Sequence, residues 1–346
     1  MKAAVFYGPE DIRVEEAPTP QPGRGEVLIQ VKACAVCGTD VRIYTYGQKN
    51  VTPPHITGHE IAGVIAEVGP DVTGVQVGER VTVVTPVSCG RCKHCLEGRV
   101  NLCRNIKPIG YYYPGGFAEY MIVPALAVEA ANILPLPEGL SFVEATLAEP
   151  LSCAINGQEF LDIGFGDQVL VVGAGPIGCM HVELAKVSGA TKIMLADISA
   201  ERLALAQVVE AETYINSSEE DLHDRVLAET DGEGADVIIT ACPAPDVQQQ
   251  SLGMAAIRGR ISFFGGLPHD RSKIQFDSNL VHYRELSVHG AFASFHRQYK
   301  EALALFASHR IDAARLITHQ LPLDDIVEGI NIIRQGKALK VVVVME

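Results

Sequence analysis

The sequence has no long basic run. Its 28 Lys and Arg residues stand against 42 Asp and Glu, a formal net charge of −14. A partner recognised through its phosphate backbone needs clustered cations, so no nucleic acid partner is expected. No apolar run approaches the roughly 18 residues that span a bilayer, so no membrane partner is expected either. Internal repeats and low-complexity linkers are also lacking. The opening MKAAVFYGPEDIRVEE has too short an apolar run for a secretion signal and quickly meets acidic residues. These absences point to a soluble, cytoplasmic protein, in a compartment where thiols stay reduced.

The chain offers 346 residues, 47% of them hydrophobic, and 32 glycines, enough for two domains with substantial cores. The first third reads as β: KAAVFY, EVLIQVKACAV, IAGVIAEVG, ERVTVVT and FAEYMIV are short runs separated by Gly and Pro turns. From about Gly166 strands alternate with helices. QVLVVGAG, KIMLAD, ADVIITA and RISFFGG read as strands, and PIGCMHVELAKVSG, SAERLALAQVVEA and VQQQSLGMAAI as helices. After Leu286 come a strand in ELSVHGAF, two amphipathic helices and a last strand, KVVVVME. The layout is a β-rich domain split in sequence, with an α/β domain between its parts.

Four of the nine cysteines lie in SCGRCKHCLEGRVNLC. Cys89, Cys92 and Cys95 are spaced C-x2-C-x2-C, and Cys103 closes the set. In a reducing compartment such a cluster points to metal before disulfide. Four thiolates give zinc a closed tetrahedral shell, a structural site that adds folding free energy and does no chemistry. A catalytic C-x-x-C pair would leave two cysteines without a role. His94 is expected in solvent, because four sulfurs fill the shell. A zinc-ribbon nucleic-acid binder would explain the cluster, but the acidic charge opposes it.

GAGPIG, Gly173 to Gly178, fits G-x-G-x-x-G between an expected strand and an expected helix. Gly173, Gly175 and Gly178, with Pro176 and Ile177 between them, allow backbone to approach a pyrophosphate at a helix N-terminus. Asp197 lies 19 residues beyond Gly178 and ends the next strand. A carboxylate there can accept from the adenosine ribose hydroxyls and repel a 2′-phosphate, favouring NAD over NADP. Arg202 can stack on adenine or simply sit in solvent. Phe264 and Gly265 end a strand on the nicotinamide side.

A second set is scattered: Cys37 in ACAVCGTD, His59 and Glu60 in ITGHEIAG, and Glu149 in LAEPLSCAING. Each alone has an ordinary reading: a core cysteine, a surface pair, a helix cap. The chain as a whole resembles the zinc-dependent medium-chain alcohol dehydrogenases, in the branch of the sorbitol (polyol) and threonine dehydrogenases. The residues that carry the resemblance are CGTD from Cys37, GHEIAG from Gly58, VGERV from Val77 and the four-cysteine lobe. GGFAEY from Gly115, AEPLSCA from Ala148 and GAGPIG complete the set, in the family's order over nearly the whole chain.

The resemblance implies a GroES-like β-barrel catalytic domain over 1–152 and 290–346, with a zinc lobe at about 86–105. Inserted in it would be a Rossmann doubly wound parallel-sheet domain over 153–289. It implies two zinc ions per chain, one structural and one catalytic. The catalytic ion would be held by Cys37, His59 and either Glu149 or Glu60. It would polarise a secondary alcohol in a polyol, sugar or related hydroxy compound, whose hydride passes to NAD to leave a ketone. Thr39 would relay the released proton. The alternative substrate is L-threonine or another amino alcohol, which would need a carboxylate-binding cation such as Arg42, Arg284 or Arg297. A homodimer or homotetramer is the family expectation.

Two departures from the family stand out. Where the family often ends its proton relay in a histidine, this chain has Arg42, a guanidinium that cannot act as that base. Where sorbitol dehydrogenases carry an Arg-Tyr pair, it has Ala293 and Ser294, which makes sorbitol itself doubtful. Tyr44, Tyr46 and Tyr111–Tyr113 could bind substrate hydroxyls or merely cover the domain seam. Phe292 and Phe295 read as cleft or core residues.

Overall fold

Ten residues, VLIQVKACAV, form the longest described strand, Val27–Val36, and organise the first unit of the chain. Covered on both faces, the strand is a near-continuous apolar run rather than an alternating one. The structure, a computed structural model, describes residues 1–345. They form two units: Met1–Ser152 together with the chain from Ala293 onward, and Cys153–Phe292.

In the first unit, Glu60–Val68 pairs antiparallel along one edge of Val27–Val36. The opposite edge is shared, its first half taken by Tyr120–Val123 and its second by Lys340–Val344. Ile317–Pro322, Arg80–Val83 and Ile133–Pro135 extend this seven-stranded sheet. Ile29, Val31, Ile61, Ile65, Phe117 and Met121 pack in its core. A small sheet joins Lys2–Gly8 to Asp11–Glu16 and His55–Ile56.

The second unit is a six-stranded parallel sheet. Its order is Thr213–Asn216, Lys192–Asp197, Gln168–Val172, Ala235–Thr240, Ala255–Phe263 and Ser287–Gly290. Parallel neighbours need crossovers, supplied by helices such as Pro176–Ser188, Leu222–Glu229 and Pro245–Met254. Strand order reverses beside Gln168–Val172, and the carboxyl ends there form the crevice in which such sheets bind ligands.

VQQQSLGMAAI, expected as one helix, is divided. The helix stops at Met254, and Ala255–Phe263 is a strand because its backbone pairs with Ala235–Thr240. The helix Gly38–Tyr46 had no helical pattern in sequence: three of its nine residues are buried, one of them Asp40. Among the described residues no helix is long and apolar enough to cross a membrane.

Candidate functional site

Cys37 follows the end of the central strand and caps the helix Gly38–Tyr46, whose N-terminus favours negative charge. His59 and Glu60 stand where the neighbouring strand begins. Gly58, at φ +92°, makes the turn, and a Cβ there would meet Cys34 Sγ at 2.8 Å. Strand pairing aligns Ala35 with Glu60, which brings the two chain segments together. Ligand atoms of Cys37, His59 and Glu60 all lie within 4.8 Å of one another. Glu149, second residue of the helix Ala148–Gln158, is outside that trio, yet its charge acts on both His59 and Glu60.

Asp40 and Lys340, which the sequence did not single out, complete this centre. Asp40 Oδ2 accepts from the Cys37 N–H at 2.9 Å, and its Oδ1 is 3.7 Å from His59 Nδ1. Both facing atoms are buried without a hydrogen-bond partner. With Nδ1 turned to Asp40, the other ring nitrogen of His59 is left for a metal, the arrangement in which a carboxylate orients a ligating imidazole. Burial alone would push the His59 imidazole down, but Asp40, Cys37 and Glu149 together hold it well above its ordinary value. A cation of some kind is favoured here. Lys340 Nζ donates to Glu60 Oε1 at 2.6 Å and to Val36 O at 3.1 Å. Burial pushes the Glu60 carboxyl up, and Lys340 opposes that shift. The soft thiol, imidazole and carboxylate of the trio fit a zinc site that leaves one position open.

Tyr111 lies on this centre. Its ring centroid is 5.2 Å from that of His59, and its hydroxyl interacts with the Thr39 side chain. Burial, then the charges of Cys37, Asp40 and Glu149, push the phenol well above its ordinary value, so it remains a donor. The other tyrosines are elsewhere. Tyr44 is buried under Arg334, Tyr46 is exposed, Tyr112 is exposed beside Lys107, and Tyr113 packs on the core. Arg42 donates to Gln48, Arg284 to the carbonyls of Gly253 and Ala255, and Arg297 to Glu301. Ser294 is buried, its hydroxyl 2.7 Å from that of Ser152.

The sulfurs of Cys89, Cys92, Cys95 and Cys103 also fall within 4.8 Å of one another. Cys92 Sγ is 3.5 Å from Cys95 Sγ and 3.9 Å from Cys103 Sγ. Cys103 Sγ accepts from the backbone N–H groups of Cys89 and Asn105. Backbone N–H groups, that of Arg91 first, pull the Cys89 thiol down, whereas burial pushes Cys103 up. The cluster fits a closed structural zinc lobe. His94 departs from expectation: it is half-buried, and its Nδ1 is shielded from solvent without a partner, because the lobe folds tightly around the sulfurs.

In the second unit, Gly173–Gly178 joins the strand Gln168–Val172 to the helix Pro176–Ser188, capped by Gly175. A Cβ on Gly178 would lie 1.7 Å from Gly173 O, so only glycine permits that turn. A Cβ on Gly175 would meet nothing within 4 Å, which leaves open space above the helix N-terminus. Pro176 and Ile177 form the first turn, half-buried. Asp197 is buried and accepts from Ala174 N at 2.8 Å and Ser199 N at 2.9 Å, so its carboxylate is held beside the glycine loop. Arg202 is exposed on the following helix. The Phe264 ring meets His181 edge-on at 4.7 Å, and Gly265 N donates to Thr240 O. Gly loop, carboxylate and open helix end fit a dinucleotide.

Comparison with known proteins agrees with both halves of this geometry. The family described as "Alcohol dehydrogenase GroES-like domain" matches residues 23–137, and "Zinc-binding dehydrogenase" matches residues 176–308. An L-threonine 3-dehydrogenase of Pyrococcus abyssi is 37% identical over 100% of this chain and 98% of its own length. An alcohol dehydrogenase from Thermus is 31% identical, with TM-score 0.92 and both chains covered fully. A zinc-binding dehydrogenase from Sinorhizobium meliloti, bound to NADP, is 32% identical with TM-score 0.91, covering 99% of this chain and 98% of that one. The chain belongs to the zinc-dependent medium-chain alcohol dehydrogenases. It is an oxidoreductase built from a GroES-like domain and a zinc-binding dehydrogenase domain, and it acts on a small molecule.

Proposed function

We propose that the protein oxidises the secondary hydroxyl of an amino alcohol of the L-threonine type to a ketone, with NAD as hydride acceptor. The observation that carries this reading is the Cys37–His59–Glu60 cluster in a chain matched end to end by an L-threonine 3-dehydrogenase. Zinc bound at the cluster supplies a Lewis acid that lowers the pKa of the substrate hydroxyl. Cys37 and His59 hold it, Asp40 orients the His59 ring, and Thr39 accepts the proton that the hydroxyl gives up. Either of two carboxylates can close the set: Glu60 lies in the cluster, while Glu149 is not bound to Lys340. Asp197 binds the ribose hydroxyls of NAD and disfavours a 2′-phosphate. A polyol or diol substrate is the second reading. Arg42, Arg284 and Arg297 are each engaged by protein acceptors, which favours a substrate without a carboxylate.

Residues 1–152 and 290–346 are proposed as the catalytic domain and 153–289 as the cofactor domain, a reading supported by the two family matches. A cytoplasmic homodimer or homotetramer completes the proposal, resting on the acidic composition and the family relationship. The experiment is the initial rate of reduced-cofactor formation by the zinc-replete protein on L-threonine, diols, polyols, aldoses and inositols, each with NAD and NADP. A rate on L-threonine with NAD supports the first reading and a rate on diols or polyols the second. Turnover with NADP alone removes the role given to Asp197.

A further inference from the structure

Arg42, standing where relatives often end a proton relay in histidine, is exposed and directed to Gln48. It stays protonated at any working pH, so the proton that reaches Thr39 needs another acceptor. One hydroxyl neighbours Thr39 at the centre: Tyr111, half-buried, with its ring against His59 and the Thr39 side chain as its hydrogen-bonding neighbour. The ring is held from both ends. Tyr111 N donates toward Pro108 O, Ile109 N donates to Thr85 O, and the ring packs on the cluster of Phe6, Ile43 and Val51. Gly110, just before it, lies so close to Gly58 that a Cβ would come within 2.7 Å of Gly58 O. The segment therefore has little freedom to carry the phenol away from Thr39.

We infer that Tyr111 is a relay residue of the oxidation, passing the proton from Thr39 to solvent in place of the missing histidine. The proton of the substrate hydroxyl moves to Thr39 Oγ, Thr39 gives its own proton to the Tyr111 oxygen, and Tyr111 releases its proton to water. The carbon–hydrogen bond electrons leave as hydride to the nicotinamide, so the sum is alcohol and oxidised cofactor to ketone, reduced cofactor and one proton. Neither hydroxyl need ionise, because each donates as it accepts. The inference rests on the dehydrogenase reading proposed above.

Its test uses the zinc-replete full-length protein and the variants Tyr111→Phe, Thr39→Val and their double. Tyr111→Phe keeps the ring on His59 and removes only the hydroxyl. It is expected to lower the single-turnover rate of alcohol oxidation about tenfold or more, with KM little changed. The dependence of that rate on solvent deuterium fraction should turn from curved, with several protons in flight, to linear. Zinc content and melting temperature should equal those of the parent. The losses of the two single variants should fail to multiply in the double variant, because both interrupt one path. Tyr112→Phe, exposed and outside the centre, serves as the control. A parent-like rate and an unchanged isotope dependence in Tyr111→Phe overturn the inference alone. Lost zinc or a lowered melting temperature, with the isotope dependence unchanged, makes Tyr111 a packing residue and overturns it too. No turnover by the parent on any alcohol overturns the dehydrogenase reading and this inference with it.

Discussion

Lys340 Nζ lies 2.6 Å from Glu60 Oε1 although 280 residues separate them, and both side chains are almost wholly shielded from water. Lys340 opens the last strand, whose next residue pairs with Val36, while Glu60 pairs with Ala35, so the ammonium reaches across the central strand. Removing one partner leaves an uncompensated buried charge. Lys340→Met is expected to cost about 3–5 kcal/mol in denaturant unfolding. Lys340→Met combined with Glu60→Leu should recover much of that loss. Equal destabilisation by single and double variants would show that the pair is not coupled.

Asp40 holds two parts of the proposed zinc centre, the Cys37 backbone and the His59 ring. Asp40→Asn preserves shape and removes the charge. Affinity for zinc, read by competition with a chromogenic chelator, is expected to fall roughly 10- to 100-fold. Unchanged affinity would mean that the 3.7 Å approach to His59 does not orient the ring.

The four-cysteine lobe predicts a separate zinc. Cys103→Ser is expected to lower zinc content from about two to about one per chain and open residues 89–103 to protease. Chelation of the parent should expose the same segment. Retention of both metals in the variant would send the second ion elsewhere.

His181 gives the second unit an acid sensitivity. It is wholly buried, its Nδ1 lies 3.1 Å from Gln158 Nε2, and burial pushes it down to about 3. The unfolded chain binds this proton near pH 6.5 and the folded chain does not, so stability is complete above pH 6.5 and falls as pH drops toward 3. The contribution is about 1.4 kcal/mol per pH unit within that window. His181→Phe should flatten this part of the melting-temperature profile between pH 7 and pH 5. A parallel profile in parent and variant would place the acid sensitivity in other groups.

Much of this protein was legible before any coordinates. Cys89 to Cys103 lie within a few turns of chain, so their spacing alone constrains their sulfurs to meet. GAGPIG likewise joins adjacent elements, and local backbone needs dictate its glycines. The strands QVLVV and KIMLAD announced themselves because buried parallel strands are apolar throughout. Cys37, His59 and Glu149 were reached through resemblance, since nothing in their spacing tells that they converge. Asp40 was read only as the end of CGTD, and Lys340 only as the start of a strand. The helix Gly38–Tyr46 and the strand beginning at Ala255 were hidden because partners outside the segment override weak local preference.

The sequence by itself determined the class of protein, the glycine loop, the cysteine lobe and the alternation of strand and helix, all set by residues close together in the chain. The tertiary structure alone decided that Lys340 neutralises Glu60, that Asp40 faces His59 and that Tyr111 lies against His59 beside Thr39. Those contacts depend on strand register. A slip of one residue would turn each side chain to the other face of its sheet, and only packing of the whole unit selects the register that is kept.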